Sequence, residues 1–233
     1  MNMINKFAVV LFAGLLTLLP GQALAGPATE QFKESVEKVI KILEDPALRS
    51  EAKTKERRVA IRRAASDLFD FSESAKRSLA HHWQSRSGKE RDEFIKLFGD
   101  VLERTYFSKI EQFGGDKIAY LGESIDGDQA TLRTKITTKG GTDLLVDYRM
   151  LLRGTRWLVY DVSFDGVSLI ANYRTQFNKI IQTSSYQELV KKMKTKQDEY
   201  GVQKAADIVS EGKHDSVLAA ATILAVLGGR MKN

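Results

Sequence analysis

The sequence predicts an α+β domain, a curved antiparallel meander of four strands with helices before and after it that enclose an apolar cavity. Three observations predict it. Apolar residues recur at helical spacing from Phe32 to Ile110, four short β-prone segments follow between Lys117 and Phe164, and helical spacing returns from Leu169.

The first helix is carried by Phe32, Val36, Val39, Ile40 and Leu43, and Asp45-Pro46 ends it. A basic helix begins near Lys53, with Val59, Ile61, Ala64, Ala65, Leu68 and Phe69 as its apolar side. Its cations (Lys53, Lys55, Arg57, Arg58, Arg62, Arg63) read first as a solvated face. Ser72 is placed to cap a short helix leading to Trp83. Ser87-Gly88-Lys89-Glu90 is a capping box, and Phe94, Leu97, Phe98, Val101, Leu102, Tyr106 and Ile110 line one face of the helix it starts. Gly114-Gly115 stops that helix.

The strands are expected over Lys117–Ser124, Gln129–Thr138, Leu144–Leu152 and Arg156–Phe164. Asp126-Gly127-Asp128, Lys139-Gly140-Gly141 and Arg153-Gly154-Thr155 supply the turns. After Asp165-Gly166, Leu169, Tyr173, Phe177, Ile180 and Ile181 share a helical face, and a further Ser-x-x-Glu box runs from Ser185 to Glu188. Helices laid across the concave face of such a sheet leave a conical cavity when they do not fill it. That places the expected site between the long capped helix and the sheet.

The N-terminus has the three parts of an export signal. Lys6 is the basic region, Phe7 to Leu19 is an apolar run of about 13 residues, and Ala23-Leu24-Ala25 fits a small-x-small cleavage site. A membrane-spanning helix needs about 20 residues. Residues 1–25 are therefore expected to be a cleaved signal, with 26–200 as the folded domain and 201–233 as a C-terminal extension expected to be helical. The extension's apolar run, Val217 to Leu227, is also too short to span a bilayer. The chain has no cysteine, so neither a disulfide nor a lipid anchor on a cysteine is expected. The net charge of +6 could suit nucleic acid, but an export signal argues for the periplasm, where anionic lipid or acidic proteins are the available partners. A solvated basic surface is as simple an account.

Catalytic groups are sparse. His81 and His82 are adjacent and diverge by about 100° on a helix, so they lack the spacing of a metal-binding pair. No nucleophile elbow, phosphate loop or dinucleotide fingerprint occurs. Asp161 and Asp165 could form an acid/base pair in a small-cavity enzyme, although an aspartate beside a turn is more often structural. No metal and no cofactor are expected. Instead, aromatic residues gather on elements expected to face each other: Trp83, Phe94, Phe98, Tyr106, Tyr148, Trp157, Tyr160, Tyr173 and Phe177. From periodicity alone the simpler reading is an ordinary core.

Two strings resemble a known family. Asp67-Leu68-Phe69-Asp70-Phe71, Trp83 and Glu93-Phe94 with Phe98 form the first. The second is Trp157-Leu158-Val159-Tyr160-Asp161-Val162, then Gly166-Val167-Ser168-Leu169, then Asn172-Tyr173-Arg174-Thr175-Gln176-Phe177. Over Phe32 to Lys194 the chain resembles the MlaC family, the toluene-tolerance auxiliary components of ABC transporters. It departs from the pattern at Ala80-His81-His82, where many members carry a glycine shortly before the tryptophan.

The resemblance implies an NTF2-like sheet and a noncatalytic periplasmic phospholipid carrier, with bound phospholipid as cargo and no cofactor. It implies exchange between an outer-membrane lipoprotein complex and an inner-membrane MCE-domain protein of an ABC transporter, with membranes touched only through those partners and no nucleic acid. The expected cavity lining is Trp83, Phe94, Phe98, Leu102, Tyr106, Leu145, Val146, Tyr148, Met150, Trp157, Tyr160, Val162, Val167, Leu169, Tyr173 and Phe177, with Arg149 and Arg174 as a head-group rim. A small-cavity enzyme on a similar fold, an adaptor that only docks transporter components, and a carrier of a hopanoid or aromatic hydrocarbon are the competing readings.

Overall fold

The protein is described by a computed structural model over residues 26–111, 117–138 and 140–195, with side chains for all of these except 104 and 106–111. The expected export signal and C-terminal extension lie outside the described residues. Six helices and five strands follow the predicted order: α1 (Pro27–Glu44), α2 (Thr54–Leu68), α3 (Phe71–Leu79), α4 (Gly88–Glu111), β1 (Lys117–Asp126), β2 (Gln129–Thr137), β3 (Asp143–Arg153), β4 (Arg156–Phe164), β5 (Val167–Ser168), α5 (Leu169–Thr183) and α6 (Tyr186–Thr195). The strands pair antiparallel in sequential order β1-β2-β3-β4-β5. The α+β class and the meander are as read from the sequence.

The fifth strand is a difference. Asp165 (φ 45°) and Gly166 (φ 86°) both adopt positive φ, the combination a tight two-residue hairpin requires. The turn folds Val167 and Ser168 back onto Phe164 and Ser163. Two residues carry too little alternation to register as a strand in a sequence. A second difference is the start of α3: Asp70 rather than Ser72 caps it, accepting from the Glu73 amide at 2.8 Å. The box at α4 forms reciprocally, Ser87 N–H to Glu90 at 2.8 Å and Glu90 N–H to Ser87 Oγ at 3.3 Å. The Ser87 amide and hydroxyl hold the Glu90 carboxyl below its ordinary pKa.

Apolar side chains form two clusters. One joins the inner sheet face to α1 and α2, and the other joins α3, α4, α5 and α6. Leu102 of α4 and Leu169 of α5 pack against both and form the seam between them.

Helix α3 ends at Ala80, in the stretch where the sequence departs from the pattern it resembles. Ala80 has φ 49° and ψ −124°, a combination that glycine adopts freely and that crowds any Cβ. The helix C-cap bond from Ala80 N–H to the Lys76 carbonyl holds it there. The resemblance placed a glycine shortly before Trp83 in many members, and the backbone shows why one is favoured. Ala80→Gly is expected to stabilise the fold by about 1 kcal/mol, the relieved strain outweighing the added chain entropy. Urea denaturation of the two proteins measures this directly.

Candidate functional site

The inner sheet face follows from strand parity. On β3, Leu144, Val146, Tyr148 and Met150 point inward, opposite Ile136, Thr134, Leu132 and Ala130 of β2. On β4 the parity changes midway. Asp161 pairs with Arg149 but Val159 pairs with Met150, so Tyr160 is an extra residue in a β-bulge. Trp157 and Val159 face inward before the bulge and Val162 after it, while Tyr160 and Asp161 turn to the opposite face. The W-x-V-Y-D-V string is therefore the local record of a bulge.

Helix α1 lays Phe32, Val36 and Val39 on this face, and α2 adds Ile61, Ala64 and Leu68. The Phe32 ring lies 4.5 Å from Tyr148 and 6.4 Å from Tyr120. One end of α1 is fixed by Thr29, which donates to Glu123 of β1 through its amide (2.6 Å) and hydroxyl (2.5 Å). Across the sheet, the Gln31 side chain accepts from Trp157 N–H at 2.7 Å and donates to the Thr155 carbonyl at 2.9 Å. Eleven helical residues and five strand residues both span roughly 16 Å. Ile40 therefore reaches the sheet end where Ile118 lies. Ile40, Leu43, Ile118 and Leu102 pack on the cluster yet stay only partly buried, as do Leu152 and Phe69 towards the Trp157 end. The inner apolar face with its partly buried border is the candidate site.

Tyr148 is fully buried in that layer, with its hydroxyl hydrogen-bonded to Thr134, which itself donates to the Val146 carbonyl at 3.2 Å. Burial drives the Tyr148 phenol well above its ordinary pKa, and burial with Glu37 and Glu30 nearby raises that of Tyr120.

The expected cavity residues divide rather than forming one lining. Val146, Tyr148, Met150, Trp157 and Val162 belong to the sheet cluster. Trp83, Phe94, Phe98, Tyr173 and Phe177 belong to the helical cluster, where the rings occupy one another's space: Phe98 is 5.1 Å from Tyr173, and Phe94 is 5.7 Å from Phe177. Leu102 and Leu169 sit on the seam. The Tyr106 side chain lies outside those described. Leu145 and Val167, 52% and 48% exposed, do not line an interior. Leu145 alternates with the inward Leu144 and Val146, and Val167 belongs to the two-residue strand. Phe32, Val36, Val39, Ile40 and Ile118 were not among the expected lining. The helical spacing of the first four was visible, but nothing in it indicated that α1 crosses the sheet.

Arg149 and Arg174 do share a site, a cleft of about 390 Å³ that also contains Lys76, Arg77, Trp83, Tyr160 and Asp161. It opens on the other sheet face from Tyr148 and Met150, because Arg149 alternates with them. The sheet separates Arg149 from the inner apolar layer, and the expected rim arginines lie instead beside Trp83 and Tyr160 of the expected lining. Within the cleft, Arg77 pairs with Glu73 at 2.8 Å and its guanidinium lies 4.0 Å from the Tyr160 ring centre. Asp161 is nearly buried and accepts from Ser168 Oγ (2.6 Å), Ile170 N–H (3.1 Å) and Arg149 (3.4 Å). Its carboxylate thereby holds the start of α5. Asp165 accepts instead from the Leu145 amide at 3.3 Å, so the two aspartates do not form an acid/base pair. His82 is engaged with Asn178 at 2.9 Å. Among the described residues no cluster of ligating side chains could hold a metal, and no helix is long and apolar enough to cross a membrane.

With this geometry in place, a family model identifies the chain. The family described as MlaC protein matches residues 33–195, and the chain belongs to it. The intermembrane phospholipid transport system binding protein MlaC of Haemophilus influenzae is 26% identical over 120 residues, covering 49% of this chain and 56% of that relative. The chain thus aligns with little more than half the length of that protein. Among solved structures, the phospholipid-binding protein from Ralstonia solanacearum, in complex with a phospholipid, superposes with a TM-score of 0.63 at 22% identity. The superposition covers 73% of this chain and 96% of that one, and it supports the same fold.

Two outcomes test this account of the site. Asp161→Ala should cost about 3 kcal/mol in urea denaturation, because the Ile170 amide and Ser168 hydroxyl lose a charged acceptor in a buried setting. The tyrosines set the alkaline behaviour. A folded-state pKa above the unfolded value of about 10 leaves stability intact below pH 10. Above it, each such tyrosine lowers stability by up to about 1.4 kcal/mol per pH unit, as the unfolded chain releases its proton first. Tyr148→Phe should reduce that slope by one tyrosine's share, measured by urea denaturation between pH 8 and 11.5.

Proposed function

We propose that this chain is a periplasmic phospholipid carrier that exchanges lipid between an outer-membrane lipoprotein complex and an inner-membrane MCE-domain ABC transporter. The observation that carries the reading is the inner apolar face at Val146, Tyr148 and Met150 with partly buried side chains, Ile40, Leu43, Leu102 and Ile118 among them, at its border. Membership of the MlaC family supports it, as do a relative named for intermembrane phospholipid transport and a neighbour solved with a phospholipid. The export signal read from the sequence supports the compartment.

The physical requirement is severe. Each buried methylene is worth about 0.8 kcal/mol, so exposing two acyl chains to water costs roughly 20–25 kcal/mol. A soluble carrier must offer an apolar environment close to that of the membrane, or extraction does not occur. Direction then comes from the partners, because the carrier holds its cargo about as well as the bilayer does. The acyl chains are assigned to the inner face of the sheet beneath α1, entering at the Ile40–Ile118 end. An adaptor or small-cavity enzyme would need no such end. A hopanoid or aromatic hydrocarbon would use the same surface and differs in the identified cargo.

The mature protein should copurify with phospholipid detectable by mass spectrometry, and it should take phospholipid from vesicles. Val146→Trp should lower bound lipid per protein at least tenfold, while Leu145→Trp, one residue along on the exposed face, should leave it unchanged. Overpacking at Val146 costs about 1–3 kcal/mol, so thermal melts of both variants accompany the binding measurement. A protein that carries no amphiphile and extracts none overturns the carrier reading.

A further inference from the structure

Helix α1 begins without a cap of its own, since its N-cap residue is Gly26 and offers no side-chain oxygen. Glu123 of β1 serves that end instead, accepting from Thr29 N–H and Oγ1 through Oε2 at 2.6 and 2.5 Å. The second carboxylate oxygen faces Gly26 so closely that a Cβ at this position would overlap it. A tetrahedral Cα places its nitrogen about 2.5 Å from the Cβ position, so the Gly26 nitrogen lies within roughly 4 Å of Glu123 Oε1.

Gly26 is also the residue that follows the predicted cleavage site at Ala23-Leu24-Ala25. We propose that Gly26 is the first residue of the processed chain and that its new α-amino group pairs with Glu123, so that removal of the leader completes the anchoring of α1 to the sheet. The proposal rests on the export reading above. Hydrolysis adds water across the Ala25–Gly26 peptide bond within the leader-removing peptidase. The hydroxyl goes to the Ala25 carbonyl, which leaves as a carboxylate, and the Gly26 nitrogen becomes an amine.

With an ordinary pKa of about 8, that amine is protonated at neutral pH. A peptide amide at the same place is neutral and gains little from the carboxylate. The positive end of the α1 dipole opposes an ammonium there, but the dipole carries only about half a charge, whereas Glu123 supplies a full one. On the first turns of α1, Glu30 favours the ammonium, and Lys33 is paired with Glu30 at 3.1 Å. On β2, the residue opposite Glu123 is the uncharged Leu132.

The test uses the chain from Gly26 to Asn233 in three forms: with a free amine, with an acetylated amine, and with Ala25 retained. Each is made with Glu123 and with Glu123→Gln. The free-amine form should melt roughly 3–5 °C above the acetylated form at pH 7. That gap should close in Glu123→Gln and at pH 9.5, where the amine is neutral. Retaining Ala25 moves the charge away and should behave as acetylation does. An unchanged melting temperature on acetylation, with Glu123 intact, overturns the ion pair. N-terminal sequencing of the secreted protein tests processing separately: a start at Gly26 supports the assignment, and any other start overturns it. A chain that is not secreted sinks the export reading but leaves the melting comparison intact as a test of the pair.

Discussion

The bulge in β4 is the constraint on which the rest of the arrangement depends. It lets one strand point Trp157, Val159 and Val162 into the sheet cluster while delivering Tyr160 and Asp161 to the opposite face. Asp161 then holds the first turn of α5 through Ser168 and the Ile170 amide. Along the same stretch α3 docks on the strand: the Asp70 amide donates to the Val159 carbonyl at 2.8 Å, and Ser74 Oγ to the Tyr160 carbonyl at 2.8 Å. Strand β5 covers β4 only at Ser163 and Phe164, so without these contacts the strand would present an unpaired edge. One irregular position thus satisfies the backbone, protects the edge and joins the helical half to the sheet.

Fixing the helices from one strand has a consequence for the interior. Helices α3 and α5 are held to the β4 edge and to the cleft face, so Tyr173 and Phe177 of α5 pack against Phe94 and Phe98 of α4 rather than onto the inner sheet layer. The inner layer is left to α1 and α2, and α1 is pinned at both edges of the four-strand meander, by Glu123 on β1 and by Trp157 on β4. Both pins lie at the N-terminal end of the helix. Its C-terminal half, with Ile40 and Leu43, rests on apolar contact alone in the described contacts.

The sequence made the regular parts of this legible. Alternation placed β2, β3 and β4 within a residue or so of their observed limits, and Arg156–Phe164 coincides with β4. Capping chemistry located α4 through Ser87 and Glu90. Features that break a period could not be read. The bulge reverses the parity of β4, so a strict alternation sets Val162 against Val159 when they share a face. Ser72 looks like the cap of α3, and Asp70 takes that role because its amide is bonded to β4 while its carboxylate accepts from Glu73 N–H. The site suffered most. Aromatic residues were assigned to a lining by type, and the same residue types fill the helical cluster. Which of two apolar groups borders an open end depends on how α1 crosses the sheet, a long-range fact that no local pattern encodes.

The division into two clusters has its own logic under the proposed carrier role. A protein that must persist both with and without cargo needs stability that does not come from the cargo. The helical cluster supplies it, since Phe94, Phe98, Tyr173 and Phe177 meet only one another and their neighbours. The sheet cluster is bordered by partly exposed side chains, Ile40 and Ile118 among them, and a bound acyl chain would remove that exposure. Placing the polar anchors of α1 at the far end from those residues separates the two demands. The helix can be fixed in register at Thr29 and Gln31 while apolar contacts near Ile40 are exchanged for contacts with a lipid tail. An ion pair or buried hydrogen bond at that end would have to be broken at each loading, at a cost in desolvation that a chain–chain contact does not carry. The apolar composition of the open end is therefore the composition that allows loading and release at similar free energy.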